Sequence, residues 1–96
     1  MIDKVRAHIL VLGRVQGVFF RENTQRKAKK LGVNGWIKNL SDGKVEAVFE
    51  GDKKSVGKII SWAKRGPILA RVEGIDIEWQ EYIEEFTEFE IRYEIW

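Results

Sequence analysis

Apolar residues along the chain change spacing several times, and each change marks an element. Over residues 5–13, Ala7, Ile9 and Val11 fall on one face of a strand and His8, Leu10 and Leu12 on the other. Both faces are largely apolar after Arg6, which suits a central strand. From residue 20 the spacing becomes helical: Phe20, Thr24, Ala28 and Leu31 share a face, Arg26, Lys27, Lys29 and Lys30 flank it, and Gly32 supplies the stop. Residues 33–40 and 44–50 predict strands around Ser41-Asp42-Gly43, a hairpin loop with glycine available for positive φ. In the second of them Val45, Ala47 and Phe49 alternate with Glu46, Val48 and Glu50. A helix is predicted over 53–65, with Val56, Ile59, Ile60 and Ala63 as its apolar stripe and Gly66-Pro67 ending it. Over 72–79, Ile75, Ile77 and Trp79 alternate with Asp76 and Glu78, and in the tail Phe89, Ile91, Tyr93 and Ile95 alternate with Glu90, Arg92 and Glu94.

The order β-α-β-β-α-β-β contains a split βαβ pair. It predicts an α+β fold, a ferredoxin-like α/β sandwich with two helices on one face of a mainly antiparallel sheet and an extra C-terminal edge strand. No repeat, low-complexity tract or linker interrupts the pattern, so residues 1–96 form a single expected domain. Such a fold hosts many chemistries, and function has to come from particular residues.

Composition removes several of those chemistries. A hydrophobic fraction of 44% and a charged fraction of 33% predict a soluble globular chain. No apolar run approaches the roughly 20 residues of a membrane helix. The start Met1-Ile2-Asp3-Lys4-Val5 has no signal-peptide character, so the expected location is cytoplasmic. Without cysteine there is no disulfide, thiolate nucleophile or cysteine-ligated zinc. His8 is the only histidine, so neither a histidine metal site nor a Ser-His-Asp triad can be assembled within one chain. No metal and no cofactor is expected. A net charge of +2 and a pI near 9.0 attract anions mildly and argue only weakly for nucleic acid. The dominance of Lys, Glu and Arg over Asn and Gln leans towards a thermophilic source.

The link from the first strand to the first helix reads Gly13-Arg14-Val15-Gln16-Gly17-Val18-Phe19-Phe20-Arg21. Its glycines let the backbone curl so that successive N–H groups point inwards, and the open N–H groups of the first helical turn would complete an anion cradle. An ordinary tight turn accounts for the same glycines. Arg21 falls at the helix start, where its planar guanidinium can add a bidentate grip. The Gly-Lys-Ser/Thr of a nucleotide loop and the Gly-x-Gly-x-x-Gly fingerprint are both absent.

The run from Val11 through Gly13-Arg14-Val15-Gln16-Gly17-Val18-Phe19-Phe20 to Arg21 resembles the first signature of the acylphosphatases. The stretch Gly35-Trp36-Ile37-Lys38-Asn39-Leu40-Ser41-Asp42-Gly43-Lys44-Val45, with Gly51 beyond it, is similar to their second. The likeness extends over essentially the whole chain. It implies that Arg21 binds the phosphate, that the backbone of Val15, Gln16, Gly17, Val18, Phe19 and Phe20 is the phosphate loop, and that Asn39 orders the attacking water. The implied substrates are small acyl phosphates, cleaved to a carboxylate and inorganic phosphate, the latter both product and inhibitor. A metal-free monomer with no nucleic-acid or membrane partner is expected. The chemistry is consistent: N–H dipoles and a guanidinium can stabilise a transferring phosphoryl group, and a carboxylate leaving group needs no strong acid.

Each of these residues also has a plainer reading. Asn39 taken alone is a strand-end asparagine. Trp36, Trp62, Trp79 and Trp96 are read mainly as packing residues, the lysines near 27–30 as a solvated helix face, and the acidic stretch Glu81–Glu90 as a loop and strand edge. His8 is expected to meet solvent or a polar neighbour. A binding module is the main rival, since ferredoxin-like sheets also bind RNA through open-face aromatics. The third strand offers Phe49 for this, without an RNP1 pattern. A copper carrier lacks its cysteine pair, and a ligand-binding regulatory domain stays open.

Overall fold

The structure, a computed structural model, describes residues 3–93. Strand β1 (Lys4–Arg14) leads into helix α1 (Phe20–Leu31), then β2 (Asn34–Asn39), β3 (Val45–Asp52), α2 (Lys53–Ala63), β4 (Arg71–Gln80) and β5 (Phe89–Ile91). One sheet runs β4-β1-β3-β2-β5, antiparallel except for the β2–β5 pair, which is parallel. This is the expected ferredoxin-like α+β sandwich, with the extra strand beside β2.

Both helices pack on one sheet face, α2 against β1 and β3, and α1 against β2 and β5. Their predicted stripes are buried: Phe20, Thr24 and Ala28 on α1, and Val56, Ile59, Ile60 and Ala63 on α2. They meet Ala7, Ile9, Val11, Ile37, Val45, Ala47, Phe49 and Phe89 from the sheet. Each large aliphatic or aromatic side chain so buried contributes about 1.5–3 kcal/mol. The Thr24 hydroxyl donates to Phe20 O at 2.7 Å, so the core keeps no unmet polar group there. Gly35 is required where β2 crosses β3, because a Cβ would lie 1.9 Å from the Val48 carbonyl oxygen.

Three elements depart from the pattern. Helix α2 ends at Ala63 rather than 65, because the N–H groups of Arg65 and Gly66 both turn back to Trp62 O. Strand β5 stops at Ile91, pairing only with Gly35–Ile37; Tyr93 lies beyond it, and Ile95 and Trp96 lie outside the described residues. In β4, Ile77 and Trp79 pair with the core residues Ile9 and Ala7 yet remain 37% and 56% exposed, because neither helix reaches this edge.

The opposite face is covered at one end by residues 81–88, which connect the two outer strands. Glu50, 2% exposed, accepts from Ile83 N at 3.1 Å and Glu85 N at 2.9 Å. The Arg6 guanidinium bridges Glu50 at 3.3 Å and Glu85 at 2.8 Å, with the Phe86 ring 5.3 Å away. Nearby, His8 meets Glu46 at 2.7 Å.

Glu50→Ala strips two backbone donors and Arg6 of their acceptor. It should lower the unfolding free energy by about 3–5 kcal/mol, the range for breaking a buried charged pair. Hydrogen exchange should accelerate first at Gly35 N–H, which donates to Glu88 O. Urea unfolding with exchange readout checks this, and a loss below about 1 kcal/mol would show that Glu50 does not anchor the crossing.

Candidate active site

Strand β1 ends at Arg14, and residues 15–19 turn the chain into α1. Val15 and Val18 are pinned in the core at 1% and 3% exposure, so the backbone between them must arch outwards. Gly17 makes the arch at φ 75°. Phe19, at the cap position of α1, also takes a left-handed conformation, φ 64°. For a residue with a Cβ this costs roughly 1–2 kcal/mol. Its ring is 62% exposed and makes no capping hydrogen bond. The first-turn N–H groups of α1 therefore keep no side-chain acceptor, and the positive end of the helix dipole stays open to an anion. Asn23 Nδ2 donates to Phe19 O at 2.8 Å, which fixes the cap carbonyl instead.

A cavity of about 150 Å³ opens at this turn, lined by Val15, Gly17, Phe19, Phe20, Arg21, Glu22 and Asn39. Arg21 and Asn39 thus meet across one pocket. Gln16 and Val18 do not line it: the Val18 side chain enters the core, and Gln16 turns towards the β2–β3 hairpin. The Arg21 guanidinium lies 5.1 Å from the Tyr93 ring centroid, a cation–π contact that holds one face of the group. Arg21 makes no ion pair among the described residues, so its edge donors are available to a ligand.

Asn39 is the last residue of β2, paired with Val45. Its Oδ1 is enclosed and has no hydrogen-bond partner among the described residues. An unmet buried acceptor costs about 1–3 kcal/mol, and such groups concentrate where function requires them. The adjoining loop is tightly made. Asp42 accepts from Lys44 Nζ at 2.8 Å and from Lys44 N at 3.1 Å. The Lys44 side chain, followed by its backbone N–H, holds the Asp42 carboxyl below the usual range. This contribution is present above the carboxyl's unfolded value and is lost as pH falls through its folded one. Asp42 is thereby occupied by the turn, and no three His, Asp or Glu side chains among the described residues gather as metal ligands.

Some participants were not legible in the sequence. Arg14 and Arg71 sit directly opposite each other where β1 runs into the turn, both exposed and without acidic partners among the described residues. Like charges so placed are locally unfavourable, but they add positive potential beside the pocket. Tyr93 reads as a strand residue, and its place under Arg21 depends on where the chain goes after β5. Glu22, the acidic residue at the pocket, carried no motif signal.

Fold and pocket together describe a ferredoxin-like α+β protein with an uncapped helix start and an unpaired guanidinium lining one cavity where its first strand becomes its first helix, among the described residues. Comparison with known proteins narrows this. The acylphosphatase family model matches residues 7–91. An acylphosphatase of Pelotomaculum thermopropionicum is 48% identical over 92 residues, covering 96% of this chain and all of that one. The crystal structure of acylphosphatase from Bacillus subtilis superposes with a TM-score of 0.89 at 35% identity, over 93% of this chain and 99% of that one. An acylphosphatase structure from Coxiella burnetii gives 0.88 at 38% identity, over 94% of each chain. The chain belongs to the acylphosphatase family.

Replacing Arg21 tests the pocket directly. Arg21→Ala should keep a native circular dichroism spectrum. It should weaken inhibition by inorganic phosphate at least tenfold and lower turnover a few hundredfold, on the order of 3–4 kcal/mol. Wild-type phosphate inhibition in the folded variant would place the anion elsewhere.

Proposed function

We propose that this pocket carries out the hydrolysis of small acyl phosphates as follows. The N–H groups of residues 15–20 and the Arg21 guanidinium hold the phosphoryl oxygens, and Asn39 places a water in line with the bond to be broken. Water attacks phosphorus, the bond to the carboxylate oxygen breaks, and a carboxylate and inorganic phosphate leave. One observation supports this above others: the uncapped start of α1, the free edge of Arg21 and the amide of Asn39 converge on a single cavity. Charge spreading over the equatorial oxygens meets fixed dipoles that need no reorganisation. No step requires a metal.

Asn39 cannot take a proton at neutral pH. Its side-chain amide, which lines the cavity, instead aims the water by hydrogen bonding. The proton then passes to a phosphate oxygen of the substrate. Glu22, lining the same pocket, supports a second reading in which its carboxylate is the base. The enzyme acts as a monomer: β5 is short, and β4 presents Asp76 and Glu78, which oppose edge pairing with a second copy. The RNA reading loses its aromatic, since Phe49 is fully buried on the helix side, stacked 5.7 Å from Phe89.

Asn39→Ala should cut kcat roughly a hundredfold, the scale of a one-ångström misplacement of the nucleophile. Its phosphate inhibition constant should stay within about threefold of wild type. Near-normal kcat in the folded variant, assayed on benzoyl phosphate, would remove Asn39 from the mechanism. Glu22→Gln separates the two proton routes. Transfer to the phosphate predicts kcat within about threefold of wild type, whereas a general base would cost about a hundredfold or more.

A further inference from the structure

The side chain of Gln16 has a role that the phosphate loop's backbone does not explain. Nε2 donates to Leu40 O at 2.7 Å and to Lys44 O at 2.9 Å, across 24 and 28 positions of sequence. Both partners are carbonyl oxygens, so the amide must present its nitrogen, and its orientation is decided. These two carbonyls do not need it. Leu40 N already donates to Lys44 O at 2.8 Å and Gly43 N to Leu40 O at 3.2 Å, so the hairpin closes on its own. The Gln16 bonds occupy the second lone pair of each oxygen and add only one thing, a rigid link between two separate parts of the chain.

One end of that link lies in the phosphate loop, between the core-anchored Val15 and Val18. Its other end grips the residue directly after Asn39, where β2 has run out of sheet pairing at Asn39–Val45. We infer that Gln16 is a positioning residue, setting the place of Asn39, and so of the water, relative to the phosphate held by the loop. The inference rests on the role given to Asn39 above. Gln16 touches neither water nor phosphate through its side chain and acts through Asn39 alone.

The test is a double-mutant cycle on benzoyl phosphate. Gln16→Met keeps length and removes both donors. It should lower kcat tenfold to a hundredfold, in keeping with the sensitivity of such steps to small misplacements, while phosphate inhibition shifts less than about threefold. In an Asn39→Ala background the same substitution should cost less than about twofold more, because residues acting as a unit are not additive. A full, additive loss in that background would overturn the inference by showing that Gln16 acts elsewhere. So would normal kcat in Gln16→Met beside an impaired Asn39→Ala. Normal kcat in Asn39→Ala itself would instead sink the reading beneath, and the coupling with it. Gln16→Glu gives a second handle should the Met variant fold poorly. Its carboxylate faces two carbonyl oxygens, whereas the protonated acid regains one donor, so its rate relative to wild type should rise as pH falls towards the usual Glu range near ~4.3. A flat ratio across that range would count against the link.

Discussion

At the start of α1 the first-turn N–H groups leave the helix with no side chain to receive them, because the cap position is Phe19 held in a left-handed conformation. A Ser, Asp or Asn at that place would recover about 1 kcal/mol of local stability. The chain instead carries both a poor cap and a strained residue. What remains is a cluster of oriented donors at the positive end of a helix, beside a guanidinium. Nearly every other feature of the pocket supports that unmet demand. Val15 and Val18 anchor the turn so that it cannot collapse onto the helix end, and Asn23 secures the carbonyl of Phe19.

The rest of the fold brings Asn39 to this point. β1 and β2 are not neighbours; β3 lies between them, antiparallel to both, so β2 runs in the direction of β1 and its last residue, Asn39, lies at the same end of the sheet as the turn. A separate series of contacts supports Arg21. Glu50 holds the crossing segment 81–88, that segment delivers β5 to the edge of β2, and Arg92 N donates to Ile37 O at 2.8 Å just before Tyr93 reaches the guanidinium. Buried charge far from the pocket thereby helps decide where Arg21 sits.

The elements themselves could be read from spacing. The stripes of α1 and α2 and the alternation of β1 and β3 reflect one buried face each, and burial is what periodicity records. β4 forms as its alternation predicts, but there alternation does not mark burial, because Ile77 and Trp79 lie on a face that no helix covers. Val48 and Glu50 alternate with the core positions yet are buried at 3% and 2%, Glu50 beneath an irregular segment that has no period to detect. At the candidate site, the two motifs hold Arg21, Asn39 and the turn before α1, which line one cavity. The links between them were out of reach. Gln16 to the hairpin and Tyr93 to Arg21 are contacts across long sequence separations, and no local pattern encodes them.

The most direct measurement is a titration of inorganic phosphate followed by amide chemical shifts. Saturable changes should appear together, at one dissociation constant, in the backbone N–H signals of residues 15–20 and in the Arg21 side-chain signal. The basic face of α1 around Arg26, Lys27 and Lys30 should stay still. Saturation on that face instead, with the loop signals unmoved, would contradict the assignment of the uncapped helix start as the phosphate site.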